Sequence, residues 1–311
     1  LGGVMIINGE LTIGKLMAFN GVLSKVYSSL GALINTNLDF QRTIVSADRI
    51  FNLLNEETYC ENGDLVLNEN QTTDIEFRNV SFSYDKDREV LKNLSFTIKK
   101  GEKIALVGGN GCGKSTIVNL LAKNYEPDNG EILIGGIALE KLNRKSFLSK
   151  IGIVWQDNYL FNASIYENIL YGYRKATKDE VEQAARIADI HNFILGLPDG
   201  YNTLAGERGV MLSGGQRQKI CIARAILSDP EIFIMDEATS SVDIKSERDI
   251  NQSLEQVYKN RTCILITHKI SNLQGVDRIL VMKEKGRIIE YKDYKDYILN
   301  EQGFLNSTVN F

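Results

Sequence analysis

Nine residues, Gly108-Gly109-Asn110-Gly111-Cys112-Gly113-Lys114-Ser115-Thr116, constrain this chain more than any other stretch. They fit the spacing G-x-x-x-x-G-K-[ST] of a phosphate-binding loop, or P-loop. Both flanks suit it. Lys103–Val107 is an apolar run of strand length, and Ile117, Leu120 and Leu121 recur at helical spacing between Lys114 and Tyr125. The glycines let backbone N–H groups curl inward where a Cβ would obstruct them. Those amides, with the helix N-terminus, are expected to bind the β- and γ-phosphates of a nucleotide. Gly108, Asn110, Gly111, Cys112, Gly113, Ser115 and Thr116 are all candidate contacts. Lys114 supplies a full positive charge, and the Ser115 hydroxyl can hold Mg²⁺.

Around the loop, strand and helix patterns alternate. Ile75–Tyr84 has a period of two, Asp85–Arg88 is a charged turn, and Val90–Ile98 alternates again. Pro127–Gly130 is a turn before a short strand, Glu131–Ile134. Ile151–Trp155 is a strand that ends at Gln156-Asp157. Asn158–Ile226 is mostly helical. Within it Thr177 and Glu180 form a capping box ahead of the stripe Val181, Ala184, Ala185, Ala188. Strands return at Glu231–Met235, Thr262–Ile266, Arg278–Met282 and Arg287–Tyr291, and the tail is charged and helical. This order predicts a doubly wound α/β core with a helical insertion between Gln156 and Ala225.

Composition narrows the classes. Of 311 residues, 24% are charged and 43% hydrophobic, as in globular proteins, and the net charge of −4 gives no reason to expect a nucleic-acid partner. Cys60, Cys112, Cys221 and Cys263 show no paired spacing, which suits a reduced, cytosolic setting. His191 and His268 are the only histidines, too few for a His-built metal site. The chain begins with Leu and lacks a signal pattern, so a fragment of something longer is expected. Thr12–Leu38 is apolar in patches but carries Lys15 and Lys25, without the long clean run of a membrane span. It fits a member of a membrane bundle and a helix packed on a soluble core equally well. Gln41–Asn55 continues as helix, and Glu56–Thr73 is polar and aperiodic, as in a linker.

Two further stretches carry chemistry. Ile232-Phe233-Ile234-Met235-Asp236-Glu237 is an apolar strand ending in two carboxylates, the Walker B arrangement. Asp236 stands where it can hold the Mg²⁺ shell, and Glu237 where it can polarise a water. Alone, such a pair is only a strand capped by solvated acids; beside a P-loop it has a use. In Leu212-Ser213-Gly214-Gly215-Gln216-Arg217-Gln218, Ser213 can cap a helix running to about Leu227, with Gln216 closing a capping box. Gly214 and Gly215 leave that helix end bare, so a phosphate can approach. The chain's own nucleotide already has a helix end, so this one suits a nucleotide held by another copy.

Leu212–Gln216 is similar to the signature of ATP-binding-cassette (ABC) ATPases, and the order of motifs matches that family from about Asp74 to Tyr291. The resemblance implies an α/β P-loop NTPase with an antiparallel β subdomain and a helical subdomain at about 157–225, preceded by an N-terminal helical segment. It implies ATP and Mg²⁺ as cofactors. Tyr84 would stack on adenine. Gln156 would touch Mg²⁺ and report to membrane helices. Glu237 would be the base or water-orienting residue, Lys114 would supply charge stabilisation, and His268 would be the switch histidine on the γ-phosphate. Ser240–Asp243 would be the D-loop at a dimer seam. Gly206-Glu207-Arg208-Gly209 resembles the X-loop of exporter-type cassettes. The stretch from Asn8 to Ile50 resembles, more loosely, the last membrane helix of such exporters and its extension.

The implied organisation is 1–57 as the end of a transmembrane domain, 58–73 as linker and 74–311 as nucleotide-binding domain. The implied protein drives export at the cytoplasmic face of the cell membrane. Its partners would be a second nucleotide-binding domain, as a head-to-tail homodimer, and the transporter's membrane helices, with no nucleic acid. Two alternatives stand beside it: a soluble ABC ATPase acting on nucleic acid or ribosomes, and a truncated ATP-binding remnant. Peptide, lipid and drug all remain open as cargo, with a lean to peptide from the N-terminal stub. Two departures from the family are mild. Cys112 sits where Ser is frequent, and Glu290–Tyr294 lacks the usual Gly-Thr-His run. Beside Lys114 and a helix end, the Cys112 thiol is expected to react with modifiers that ATP blocks.

Overall fold

The computed structural model describes residues 2–55, 63–67, 72–85, 88–237, 254–255, 257–259, 261–283, 286–292 and 294–298. They fall into two units, 1–59 and 60–311.

In the first unit a short helix, α1 (Gly2–Ile7), turns through Gly9 into α2 (Ile13–Asn55). The two helical stretches read from the sequence join into one helix of 43 residues. No proline interrupts it, so the backbone hydrogen-bond ladder runs through. Met17, Phe19, Val22, Leu33, Ile34 and Phe51 are exposed along it. Among the described residues no helix is both long and apolar enough to cross a membrane.

The second unit holds, in chain order, β1 (Ile75–Asp85), β2 (Arg88–Ile98), β3 (Lys103–Gly108), α3 (Lys114–Leu121), β4 (Asn129–Ile134), β5 (Ile137–Ala138), α4 (Arg144–Leu148) and β6 (Ile151–Val154). There follow α5 (Ile165–Leu170), α6 (Lys178–Ile187), α7 (His191–Leu195), α8 (Gly214–Leu227), β7 (Ile232–Asp236), β8 (Thr262–Ile266), β9 (Arg278–Met282) and β10 (Ile288–Tyr291). Two sheets form, an antiparallel β2-β1-β4-β5 and a six-stranded β10-β9-β3-β8-β7-β6. The larger sheet is parallel except for β10, which runs antiparallel to β9.

Strand periodicity sorts the core. Ala105, Phe233, Met235, Cys263, Leu265, Ile279 and Val281 face one apolar cluster, shared with α5, α6 and α8. Their neighbours Ile104, Leu106, Ile232, Ile234, Ile264, Ile266, Leu280 and Met282 face the other, shared with α3 and the antiparallel sheet. Successive side chains on a strand point to opposite faces, so a sheet buried on both sides reads as continuous apolar runs. Such runs are what the sequence shows at 232–235, 263–266 and 279–282.

Among the described residues three helices begin with reciprocal capping boxes: Ser164 with Glu167, Thr177 with Glu180, and Ser213 with Gln216. Bonds from the backbone and hydroxyl of Ser164 and Thr177 hold the Glu167 and Glu180 carboxyls below the ordinary glutamate range. The helix after the P-loop is shorter than its periodicity predicts. It ends at Leu121 because Lys123 takes a left-handed conformation (φ 53°) and turns its ammonium to the Leu142 carbonyl, 2.8 Å away. Within the stretch read as linker, 63–67 is docked: Leu65 N–H donates to Lys141 O and Leu65 O accepts from Asn143 N–H, at 3.1 and 2.7 Å. A Cβ on Gly63 would overlap the Lys141 backbone.

Candidate functional site

The carboxyl ends of β3, β8, β7 and β6 lie side by side, and each delivers one of the motifs. β3 runs into the P-loop, β8 into Thr267-His268, β7 into Asp236-Glu237 and β6 toward Gln156. In open α/β sheets this crevice is where ligands bind. Here it is a cleft of about 640 Å³ lined by Asn110, Gly111, Gly113, Lys114, Ser115, Thr116, Tyr84, Gln156 and Glu237, together with Asp85, Arg88 and Val90.

The P-loop owes its path to three glycines. Gly111 and Gly113 have φ of 76° and 104°, open to glycine and strained for other residues. A Cβ on Gly108 would overlap the Met282 carbonyl, and one on Gly113 the Leu91 side chain. Gly113 is the N-cap of α3 and no side chain caps it, so the helix end is open to a ligand. Lys114 is 6% exposed, and its ammonium donates to Gly108 O and Gly109 O, both at 2.9 Å.

Across the cleft, Asp236 is 2% exposed, and its Oδ1 has no hydrogen-bond partner. Burial pushes its carboxyl above the ordinary aspartate range. A bond from Ser115 opposes this, the neighbouring Glu237 adds to it, and Lys114 and His268 counter it more weakly. Glu237 is held in a left-handed conformation (φ 47°), with its N–H on Ile266 O at 2.9 Å. That backbone is uncommon for a residue with a side chain. It aims the carboxylate between two donors. His268 Nε2 lies 2.7 Å from Oε1, and Gln156 Nε2 donates to Oε2 at 3.2 Å.

Tyr84 stands at the end of β1 with its ring edge-on to Phe82 and Tyr125, at 4.9 and 5.1 Å between centroids. Its hydroxyl donates to Thr116 Oγ1 and accepts from Asn119 Nδ2, both at 3.3 Å. The ring is thereby fixed to α3 while 46% of the residue stays exposed.

Not every candidate meets there. Ser213, Gly214, Gly215 and Gln216 line no part of the cleft. Ser213 is exposed at the tip of α8, its hydroxyl accepting from Gln216 N at 3.3 Å and its N–H donating to Gln216 Oε1 at 2.8 Å. Cys112 also turns away. It is 8% exposed and packs into the apolar cluster under the loop, with Sγ 4.0 Å from Lys114 Nζ, so only its backbone is offered to a ligand. Ser240–Asp243 lies outside the described residues. Within Gly206–Gly209, Arg208 has φ 52°, and Arg217 donates to Gly209 O at 3.4 Å. Sequence patterns passed over Arg88 and Val90 as cleft walls, because a charged turn and a strand start carry no signal of what they face. Asn119 as the anchor of Tyr84 is equally invisible in the chain.

A glycine-rich loop running into an open helix end, a paired carboxylate strand and an exposed capped helix on this sheet define a P-loop NTPase of the ATP-binding-cassette class. Residues 91–240 match the ABC transporter family model, so the chain carries a domain of that family. It carries an ATP-binding domain of the ATPase class. Among its relatives is the leukotoxin translocation ATP-binding protein LktB of Mannheimia glucosida, 43% identical over 97% of this chain and 43% of that protein. Another is the alpha-hemolysin translocation ATP-binding protein HlyB of Escherichia coli, 42% identical over 96% of this chain and 42% of that protein. The solved structure of a bacterial Atm1-family ABC exporter with ATP bound matches with a TM-score of 0.81 and 36% identity, over 96% of this chain and 53% of that one. The chain thus spans about half the length, or less, of these relatives.

Proposed function

We propose that this chain is the ATP-hydrolysing part of an ABC exporter, in which two nucleotide-binding domains close head to tail on ATP. The observation that carries the reading is the Glu237 carboxylate, held between Gln156 and His268 at the mouth of the P-loop cleft.

Each residue then has a task. Tyr84 offers its ring to adenine. The open end of α3 and Lys114 take the β- and γ-phosphates. The unpartnered Asp236 Oδ1 and the Ser115 hydroxyl beside it are hard oxygen donors that fit Mg²⁺, with Gln156 nearby. Among the described residues no three acidic, His or Cys side chains cluster as a metal cage, so the cation would depend on the nucleotide's own phosphates. Bound there, Mg²⁺ would neutralise charge on the phosphates. Glu237 orients a water for in-line attack on the γ-phosphorus and takes its proton as the bond to the β-phosphate oxygen breaks. His268, 2.7 Å from Glu237, aligns that carboxylate and can turn to the γ-phosphate. Ser213 and the exposed, glycine-flanked tip of α8 line no part of their own cleft, so they serve the nucleotide of a second copy. ATP at the seam drives closure, and hydrolysis releases it.

Residues 1–57 act as the end of the transmembrane domain and its extension, joined by 58–73 to the cassette at 74–311. That places the cassette at the cytoplasmic face of a membrane. The named relatives that translocate toxins support export of a polypeptide. Glu237→Gln is the direct test. It should bind ATP, trap a dimer in gel filtration and lose turnover by a factor of about 10² or more. Turnover like that of the wild type would remove Glu237 from the mechanism.

A further inference from the structure

Arg224 sits near the far end of α8, the helix whose tip carries Ser213, and among the described residues no carboxylate pairs with it. Its guanidinium is directed instead at α5 and the loop before it. Nε donates to Asn168 O at 2.8 Å, Nη2 to Asn168 Oδ1 at 2.9 Å, and Nη1 to Tyr159 O at 3.0 Å. Its cationic centre lies 5.6 Å from the centroid of the Phe161 ring. Asn168 is fully buried. Its Oδ1 also accepts from Phe161 N at 2.9 Å, and its Nδ2 donates to Phe161 O and Ser164 O, both at 3.0 Å. The chain from Phe161 to Ser164 is wound around this one amide. Gly172, just past α5, permits the close approach, since a Cβ there would overlap the Arg224 carbonyl oxygen.

A cation without a counter-ion is costly to bury unless hydrogen bonds replace its water, and burial does lower the Arg224 pKa. Helix packing alone would be met by an apolar side chain. What the guanidinium adds is geometry, because a planar fork fixes three acceptors at once. One of these acceptors, Tyr159 O, lies on the loop that starts at Gln156, and the other two belong to Asn168 on α5, whose amide in turn holds the same loop at Phe161.

We propose that Arg224 is a positioning residue that fastens the loop after Gln156 to the signature helix, so that Gln156 and Ser213 move as one body. The inference rests on the ATPase reading above. It means that when one copy's helix tip engages the nucleotide of the other, its own Gln156 shifts against Glu237 in the same step. The Tyr159 N–H on Asp157 O, at 3.0 Å, closes a turn right after Gln156, so the flexible joint is then left at Trp155, between the end of β6 and Gln156.

Trp155 is the only tryptophan in the chain, so its fluorescence reports on that joint. In the full chain, Arg224→Lys keeps the charge and loses the fork. Expected are a folded protein, a KM for ATP within about twofold of the wild type, and a kcat at least about tenfold lower. The Trp155 fluorescence change on adding MgATP should fall by half or more, and acrylamide should quench Trp155 more strongly without nucleotide. Wild-type kcat and Trp155 behaviour in folded Arg224→Lys would overturn the proposal. Should that variant not fold, Asn168→Ser, which removes the shared amide and leaves the guanidinium, carries the same test. Loss of fold in both would assign the network to stability alone and overturn it too. A wild-type chain that does not hydrolyse ATP would tell against the ATPase reading instead. The clamp would then be judged on acrylamide quenching alone.

Discussion

Asp236→Asn separates the cost of the site from its use. The carboxylate is 2% exposed, one oxygen is unpartnered, and burial raises its pKa. Leaving a buried polar group unpaired costs about 1–3 kcal/mol, and more for a charge, so removing the charge at constant shape should return about 1–2 kcal/mol. A domain of this size gains about 2–4 °C in Tm per kcal/mol, which predicts a rise of about 2–8 °C with chelator present. The pH dependence has a definite sign. The folded-state pKa lies above the unfolded one, so the stability linked to protonation is fully present below the unfolded value near about 4 and is lost as pH rises through the raised folded value. The Tm gap between variant and wild type should therefore be small in acid and widen toward neutrality. MgATP should reverse the order, stabilising the wild type more than the variant, because the Asp236 oxygens then have a cation to face. Thermal melts across a pH series, with chelator and with MgATP, read all of this. A variant that melts below the wild type at neutral pH in chelator would refute the burial argument. One that keeps the full MgATP stabilisation would remove Asp236 from the metal site.

Two shorter predictions complete the set. Tyr84→Ala should raise KM for ATP about tenfold with kcat little changed, since ring stacking on a base is worth about 1–3 kcal/mol; an unchanged KM in steady-state assays would leave Tyr84 a sheet aromatic only. Ser213→Ala should lower Tm modestly, a lost cap costing about 0.5–2 kcal/mol. It should also abolish the ATP-dependent dimer in gel filtration while ATP still binds, and a dimer of undiminished yield would refute the shared-nucleotide arrangement.

The P-loop, the carboxylate strand and the capped helix were legible because each rests on local rules. Glycine spacing, strand periodicity and the Ser-x-x-Gln box act over a few residues, so Gly108–Thr116, Ile232–Glu237 and Leu212–Gln216 could be placed without any partner strand. Helix ends were harder to read. The periodicity of α3 continues past Leu121, but Lys123 is drawn to a carbonyl 19 residues away, and that pull ends the helix.

The amino-acid sequence by itself determined which side chains are available and in what order, because short-range sterics and hydrogen bonding write motifs directly into residue types. Only the tertiary structure decided what they face. Parallel pairing of β3, β8, β7 and β6 brings Lys114, His268, Glu237 and Gln156 to one sheet edge, turns Cys112 into the core, and ties Arg224 to Asn168 across 56 positions. Those contacts depend on burial summed over whole faces of the sheet, a non-local quantity that no window of the chain contains.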